Sequence, residues 1–211
     1  MRLYIKEHCP FSTRARTIFG LKKMPVELSV IMEGDAATPI GLVGRKVVPI
    51  LQKDDGTAMA ESMDIVRYVD GLRAPRLLTE PKRDDIDAWC EEARPIASRL
   101  AIPRMTRSTF KENETEAARQ AYVERETSAL GDLTVLFDET PAFLSKMTPL
   151  LQRLETLIDD WSGWSESDLI LHSTLRTLSI VKPVTFGPKA KAFAEKVSSQ
   201  GGVPLLHERA I

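Results

Sequence analysis

The sequence predicts two units of different class: an α/β domain of order βαβ-ββα over residues 1–72 and an all-α domain over residues 84–211, joined by a linker at 73–83. Three observations carry this. Apolar residues alternate with period two only near the N-terminus, in Leu3/Ile5 and Val26/Leu28/Val30. The Asp55-Gly56 dipeptide, a hairpin signal, separates two short apolar runs. Beyond Pro75 every apolar pattern has helical period, and the change falls at the breaker run Arg73-Ala74-Pro75.

Arg2 to Lys6 alternates around Leu3 and Ile5, and Pro10 to Leu21 then carries Ala15, Ile18 and Phe19 at helical spacing. Gly20 to Pro25 interrupts, and Val26, Leu28 and Val30 form the second strand, so a crossover helix joins a parallel pair. Gly34 to Gly44 reads as a Gly- and Pro-bearing stretch. Val47 to Leu51 and Gly56 to Ala60 form an antiparallel pair, and Ser62 to Leu72 places Ile65, Val66, Val69 and Leu72 on one helical face. Amphipathic helices follow at 84–100, 114–139, 147–160, 168–181 and 188–199. Trp89 and Cys90, on the first of these, read as core or domain-contact residues, and Cys90 as inert.

Composition narrows the function. With 43% hydrophobic and 28% charged residues the chain is a packed globular protein, not a disordered one. A formal net charge of -1 supplies no positive field for a polyanion, which argues against nucleic acid as a partner. No apolar run approaches the roughly 18 residues of a membrane span, and the first residues lack a signal-peptide core, so a cytoplasmic protein without a membrane partner is expected. Two distant cysteines make no disulfide framework, and with three histidines they offer no zinc spacing; no metal is expected.

Chemistry concentrates in Cys9-Pro10-Phe11-Ser12. Cys9 falls at the N-terminus of the first helix, where the dipole and unpaired amides favour a thiolate, and Arg14 and Arg16 add positive charge. Pro10 suits the first helical turn, and His8 is read as a turn residue. Pro49 removes a ladder donor from an otherwise good strand. A cis Val48-Pro49 peptide would bend the chain and free Val48 to pair with an extended peptide, although X-Pro bonds are cis in only about 5–6% of cases. Ser62 can cap the next helix, whose free amides suit a carboxylate, while Glu61 can pair an ammonium; together they match the head of a free amino acid.

Cys-Pro-Phe-Ser, Val-Val-Pro-Ile-Leu and Glu-Ser-Met-Asp, in this order on these elements, resemble the glutaredoxins and the thioredoxin-like N-terminal domain of cytosolic glutathione transferases. Over nearly the full chain the sequence is similar to the transferase-shaped bacterial glutaredoxin 2 family, more loosely in the second half. The resemblance implies a thioredoxin-like domain packed on a transferase-type helical domain, with glutathione as co-substrate. In that light Cys9 is the nucleophile, Phe11 lines the site, Val48 pairs with the cysteinyl backbone of glutathione, and Pro49 is a cis-proline. Glu61 and Ser62 then hold the γ-glutamyl end, and Lys46 or Lys22 meets the glycine carboxylate. Ser165-Glu166-Ser167-Asp168 is a capping box that resembles the buried capping motif of the transferase helical domain and is assigned to folding.

One departure matters. The family carries Cys-Pro-x-Cys, and position 12 here is Ser12, so the resolving thiol is missing. The implied activity is a glutathione-dependent thiol-disulfide oxidoreductase restricted to a monothiol route, acting as a monomer on glutathionylated proteins or small disulfides. The alternatives are a cysteine-type glutathione transferase or dehydroascorbate reductase, and a non-catalytic glutathione-binding protein.

Overall fold

A computed structural model describes residues 1–158 and 163–211. The first strand, β1 (Arg2–Ile5), leads into helix α1 (Pro10–Leu21), and β2 (Glu27–Val30) returns parallel to β1, with Leu3 opposite Leu28. A short helix α2 (Ala37–Val43) stands where the sequence suggested only a turn-rich stretch. Strands β3 (Ile50–Gln52) and β4 (Ala58–Ala60) then pair antiparallel, and α3 (Ser62–Leu72) follows. The sheet order is β2-β1-β3-β4, mixed as the βαβ-ββα reading requires.

The hairpin turn forms as its residues predict: Gly56 has φ 85°, Lys53 N–H bonds to Thr57 C=O at 2.8 Å, and Asp55 Oδ1 accepts from Thr57. The β3 strand starts only after Pro49, because proline cannot donate to the ladder, so it is shorter than the expected Val47–Leu51. Leu3, Ile5, Ile18, Leu51, Ile65 and Val69 form a core in which α1 and α3 pack side by side.

The helical half contains α4 (Asp84–Met105), α5 (Glu116–Leu130), α6 (Leu133–Asp138), α7 (Thr140–Leu157), α8 (Glu166–Leu178) and α9 (Pro188–Gly201). A 3₁₀ turn, Lys111–Asn113, precedes α5. The helix expected over 114–139 is broken at Gly131, whose φ of 89° terminates α5, and Asp132 caps α6 with its side chain on Thr134 N–H at 2.7 Å. The helix expected over 147–160 begins earlier, at Thr140, with Pro141 in its first turn, and residues 159 and 160 lie outside the described residues. Trp89, Leu100, Met147, Leu154 and Leu175 fill the second core, and Trp89 Nε1–H donates to Leu150 C=O at 2.7 Å.

Helix α1 joins the two halves, since it packs on α3 and also on α8 and α9. The α1–α9 crossing is closed by two glycines: a Cβ on Gly20 would lie 1.9 Å from Gly201 C=O, and one on Gly201 would lie 2.8 Å from Thr17 Cγ2. Leu169 of α8 is buried in the sheet-side core, and Arg67 of α3 forms a bidentate pair with Glu166, both contacts at 2.7 Å. At the start of α8, Asp168 Oδ2 accepts from Ser165 N–H at 2.7 Å and from its hydroxyl at 2.8 Å. The connecting segment is pinned too, because Asp70 accepts from Leu77 and Leu78 N–H groups.

Candidate active site

Strand register brings the three sequence motifs to one end of the sheet. Tyr4 is opposite Ile50, and Ile50 is opposite Ala60. One step further along these ladders stand Ile5, Pro49 and Glu61. The C-terminal end of β1, which runs on to Cys9, therefore adjoins the Val48-Pro49 segment and the start of α3.

Cys9 is the N-cap of α1, with extended backbone at φ -68° and ψ 125°, and its carbonyl accepts from Thr13 N–H at 2.9 Å. Pro10 occupies the first turn, where it has no amide to leave unpaired, and helix geometry leaves the Phe11 and Ser12 N–H groups without intrahelical acceptors. The Cys9 side chain is partly exposed at the rim of a cavity of about 410 Å³. Phe11, Lys46 and Val48 line the same cavity, and its far wall comes from Ile102 and Met105 of α4 and Tyr122 and Arg125 of α5. Phe11 is 40% exposed beneath the Arg14 guanidinium, 4.8 Å from the ring centre.

The Val48-Pro49 peptide is cis. Among the described residues no hydrogen bond engages Val48 N–H or C=O. Glu61, not Ser62, is the N-cap of α3; it has φ 69°, and Ser62 is the buried first helical residue. Its carboxylate pairs with Arg45 at 2.8 Å, and both side chains are exposed. Glu61 and Ser62 thus stand beside the cis-proline loop but outside the cavity lining.

Of the two basic residues considered for a carboxylate, Lys46 lines the cavity and is exposed. Lys22 is committed elsewhere: its ammonium donates to the carbonyls of Asp70, Arg73 and Pro75 at 3.1, 2.5 and 2.7 Å, so it fastens the connecting segment. Arg14 lies within electrostatic range of Cys9 and bonds Ser173 at 3.0 Å, whereas Arg16 faces Glu7 and Glu112. Ser12 is fully buried, and its hydroxyl accepts from Lys6 N–H at 3.3 Å. Burial pushes the Cys90 thiol up to about 12, consistent with an inert core cysteine.

His8 lies in the turn expected of it, but its ring is also buried, against Glu112 at 2.6 Å and stacked on Tyr122 at 4.6 Å. Beside it, Glu33 is bound by Lys6 at 2.5 Å and by Arg125 at 2.7 Å. Glu33, Arg45, Glu112, Tyr122 and Arg125 were not found by sequence reasoning. Glu112 is 104 residues from His8 and Arg125 is 92 from Glu33, and no local pattern announces such pairs.

Fold and site together define a two-domain protein with a thioredoxin-like sheet, a transferase-type helical domain and a single cysteine at the end of β1. Comparison with known proteins agrees. Residues 3–77 match the N-terminal domain family of glutathione S-transferases, and residues 85–210 match the family "Glutaredoxin 2, C terminal domain". Glutaredoxin 2 of Escherichia coli strain K12 is 38% identical over 215 residues, covering 100% of both chains. The chain belongs to the glutaredoxin 2 family. The crystal structure of glutaredoxin 2 from Salmonella typhimurium in complex with glutathione superposes with a TM-score of 0.96 at 37% identity, covering 100% of this chain and 98% of that one. A glutathione S-transferase from Sinorhizobium meliloti shares the fold, with a TM-score of 0.69 at 19% identity over 99% of this chain and 93% of its own. Among the described residues no helix is long and apolar enough to cross a membrane, and no group of three or more His, Cys, Asp or Glu side chains could hold a metal.

Proposed function

We propose that this protein is a glutathione-dependent thiol-disulfide oxidoreductase that reduces glutathione mixed disulfides through Cys9 alone. The observation that carries the reading is the convergence of Cys9, the unengaged backbone of Val48 and the α3 N-terminus at one end of the sheet. Membership of the glutaredoxin 2 family supports it. An extended tripeptide laid along Val48 gains backbone hydrogen bonds without displacing any made within the described chain. Its γ-glutamyl carboxylate meets the free amides that open α3, its ammonium meets Glu61, and Lys46 faces the glycine carboxylate.

The reaction needs two exchanges. The Cys9 thiolate attacks the glutathionyl sulfur of a mixed disulfide, that S–S bond breaks, and the departing thiolate takes a proton from solvent. A second glutathione thiolate then attacks the Cys9 adduct, which releases glutathione disulfide and restores Cys9. The incoming glutathione thiol is the net reductant: one mixed disulfide and one glutathione give one free thiol and one glutathione disulfide. Residues 1–72 and 84–211 act as the two domains of a cytoplasmic monomer, with 73–83 as the connection.

A cysteine-type transferase shares the first half of this scheme, and Ser12 together with the helical wall of the cavity favours keeping that second reading. The tests separate them. Exposure to oxidised glutathione adds one glutathionyl group at Cys9 by intact mass; an unmodified protein would rule out both enzymatic readings. Replacing Glu61 and Ser62 by alanine weakens glutathione binding in calorimetry while circular dichroism keeps its helical signal, and unchanged affinity would place the ligand elsewhere. Turnover of a mixed disulfide but not of an electrophile selects the oxidoreductase.

A further inference from the structure

We propose that Glu112 is a positioning residue for disulfide exchange at Cys9, acting through His8, so that the helical domain takes part in the chemistry of a thiol it does not carry. The inference rests on Cys9 being the nucleophile. Glu112 Oε1 accepts two hydrogen bonds from the residue immediately before Cys9: the His8 backbone N–H at 2.9 Å and the His8 ring Nδ1–H at 2.6 Å. The ring's remaining freedom is removed by stacking on Tyr122 at 4.6 Å and by Phe110 at 5.7 Å. The Cys9 N–H in turn donates to Lys6 C=O at 3.2 Å.

The carboxylate is not placed there cheaply. Glu112 is fully buried, and its Oε2 has no hydrogen-bond partner among the described residues. Burial pushes its carboxyl up, yet the His8 contacts outweigh burial and hold it down at about 2, so it remains an anion. An ordinary turn needs no buried charge from a helix 104 residues away. The arrangement fixes the backbone from which the nucleophile projects, and a displacement of about 1 Å at a reacting atom can lower the rate by about 10²-fold.

The test uses the full chain and the mixed disulfide of glutathione with cysteine. Glu112→Leu removes the oxygen that accepts both bonds at similar volume and lowers kcat at least about tenfold while KM stays within about twofold. Glu112→Gln keeps an acceptor oxygen in place and recovers kcat to within about threefold of the parent. Equal losses in the two variants, or an unchanged kcat in Glu112→Leu, would overturn the proposal. If Glu112→Leu does not fold, His8→Phe decides, since it keeps the stacked ring and loses the Nδ1 bond to Glu112 together with the longer 3.8 Å approach of Nε2 to Glu33; its kcat falls with KM held, and an unchanged kcat would overturn the proposal. Intact mass of the parent after oxidised glutathione separates this result from failure of the Cys9 assignment.

Discussion

At position 12 a hydroxyl stands one helical turn from the nucleophile, buried and bonded to Lys6 N–H. Disulfide exchange requires a thiolate within reach of the disulfide, so the Cys9 adduct has no internal route to release. Purified as its glutathionyl adduct and freed of thiol, the parent keeps the adduct. Ser12→Cys instead loses glutathione and ends two mass units below its reduced form, with an internal disulfide, a difference of about 2 Da by intact mass. Retention of the adduct by both would remove Ser12 from the resolving position. Cys9, Pro49 and Glu61-Ser62 were legible in sequence because each marks a local backbone event: a helix start, a broken strand, a second helix start. Glu112, Glu33 and Arg125 were not, because their partners are brought near only by the packing of one domain on the other. Lys22, considered for the glycine carboxylate, is held within its own half of the chain, since only the fold shows the carbonyls of Asp70, Arg73 and Pro75 converging on its ammonium.

Among the elements, α1 and α3 match the bounds read from the sequence: proline in the first turn fixes the start of α1, whereas α3 is capped by Glu61 rather than Ser62 and its register follows from the apolar face of Ile65, Val66 and Val69. Helix α2 escaped notice: seven residues containing Pro39 and Gly41 show too few apolar positions for a helical period. The break between α5 and α6 depends on one positive-φ glycine within an otherwise continuous pattern. These glycines also differ in consequence. Gly20→Ala forces a methyl against Gly201 C=O, where backbone must move, and is expected to cost at least the roughly 1–3 kcal/mol of an overpacked core. Gly41→Ala in α2 meets nothing within 4 Å and should stabilise by about 0.5–1 kcal/mol through helix propensity. Urea midpoints measure both, and a neutral Gly20→Ala would mean that α1 and α9 are not locked at this crossing.

Over the whole molecule, two buried groups weaken the fold in acid, and they act in different pH windows. His172 lies wholly buried within α8; both ring nitrogens lack partners among the described residues, and burial holds its pKa down at about 3 against an ordinary 6.5. In the unfolded chain it takes a proton below pH 6.5, so the unfolded state binds more protons and stability falls as pH drops from 6.5 towards 3. Glu112, held at about 2 against 4.5, adds a second loss that begins only below pH 4.5. Between pH 6.5 and 4.5 the slope attributable to His172 approaches about 1.4 kcal/mol per unit, which amounts to a little over 2 kcal/mol across the window. His172→Leu removes this titration and two unsatisfied nitrogens together. Its unfolding free energy, from urea titrations at half-unit steps, should fall less steeply than the parent's between pH 6.5 and 4.5, and the two curves should run parallel above pH 7. Glu112→Gln should flatten the curve below pH 4.5, by loss of the carboxylate whose protonation the fold opposes. Identical slopes for His172→Leu and the parent between pH 6.5 and 4.5 would show that the imidazole gains a proton within the folded protein despite its burial in α8.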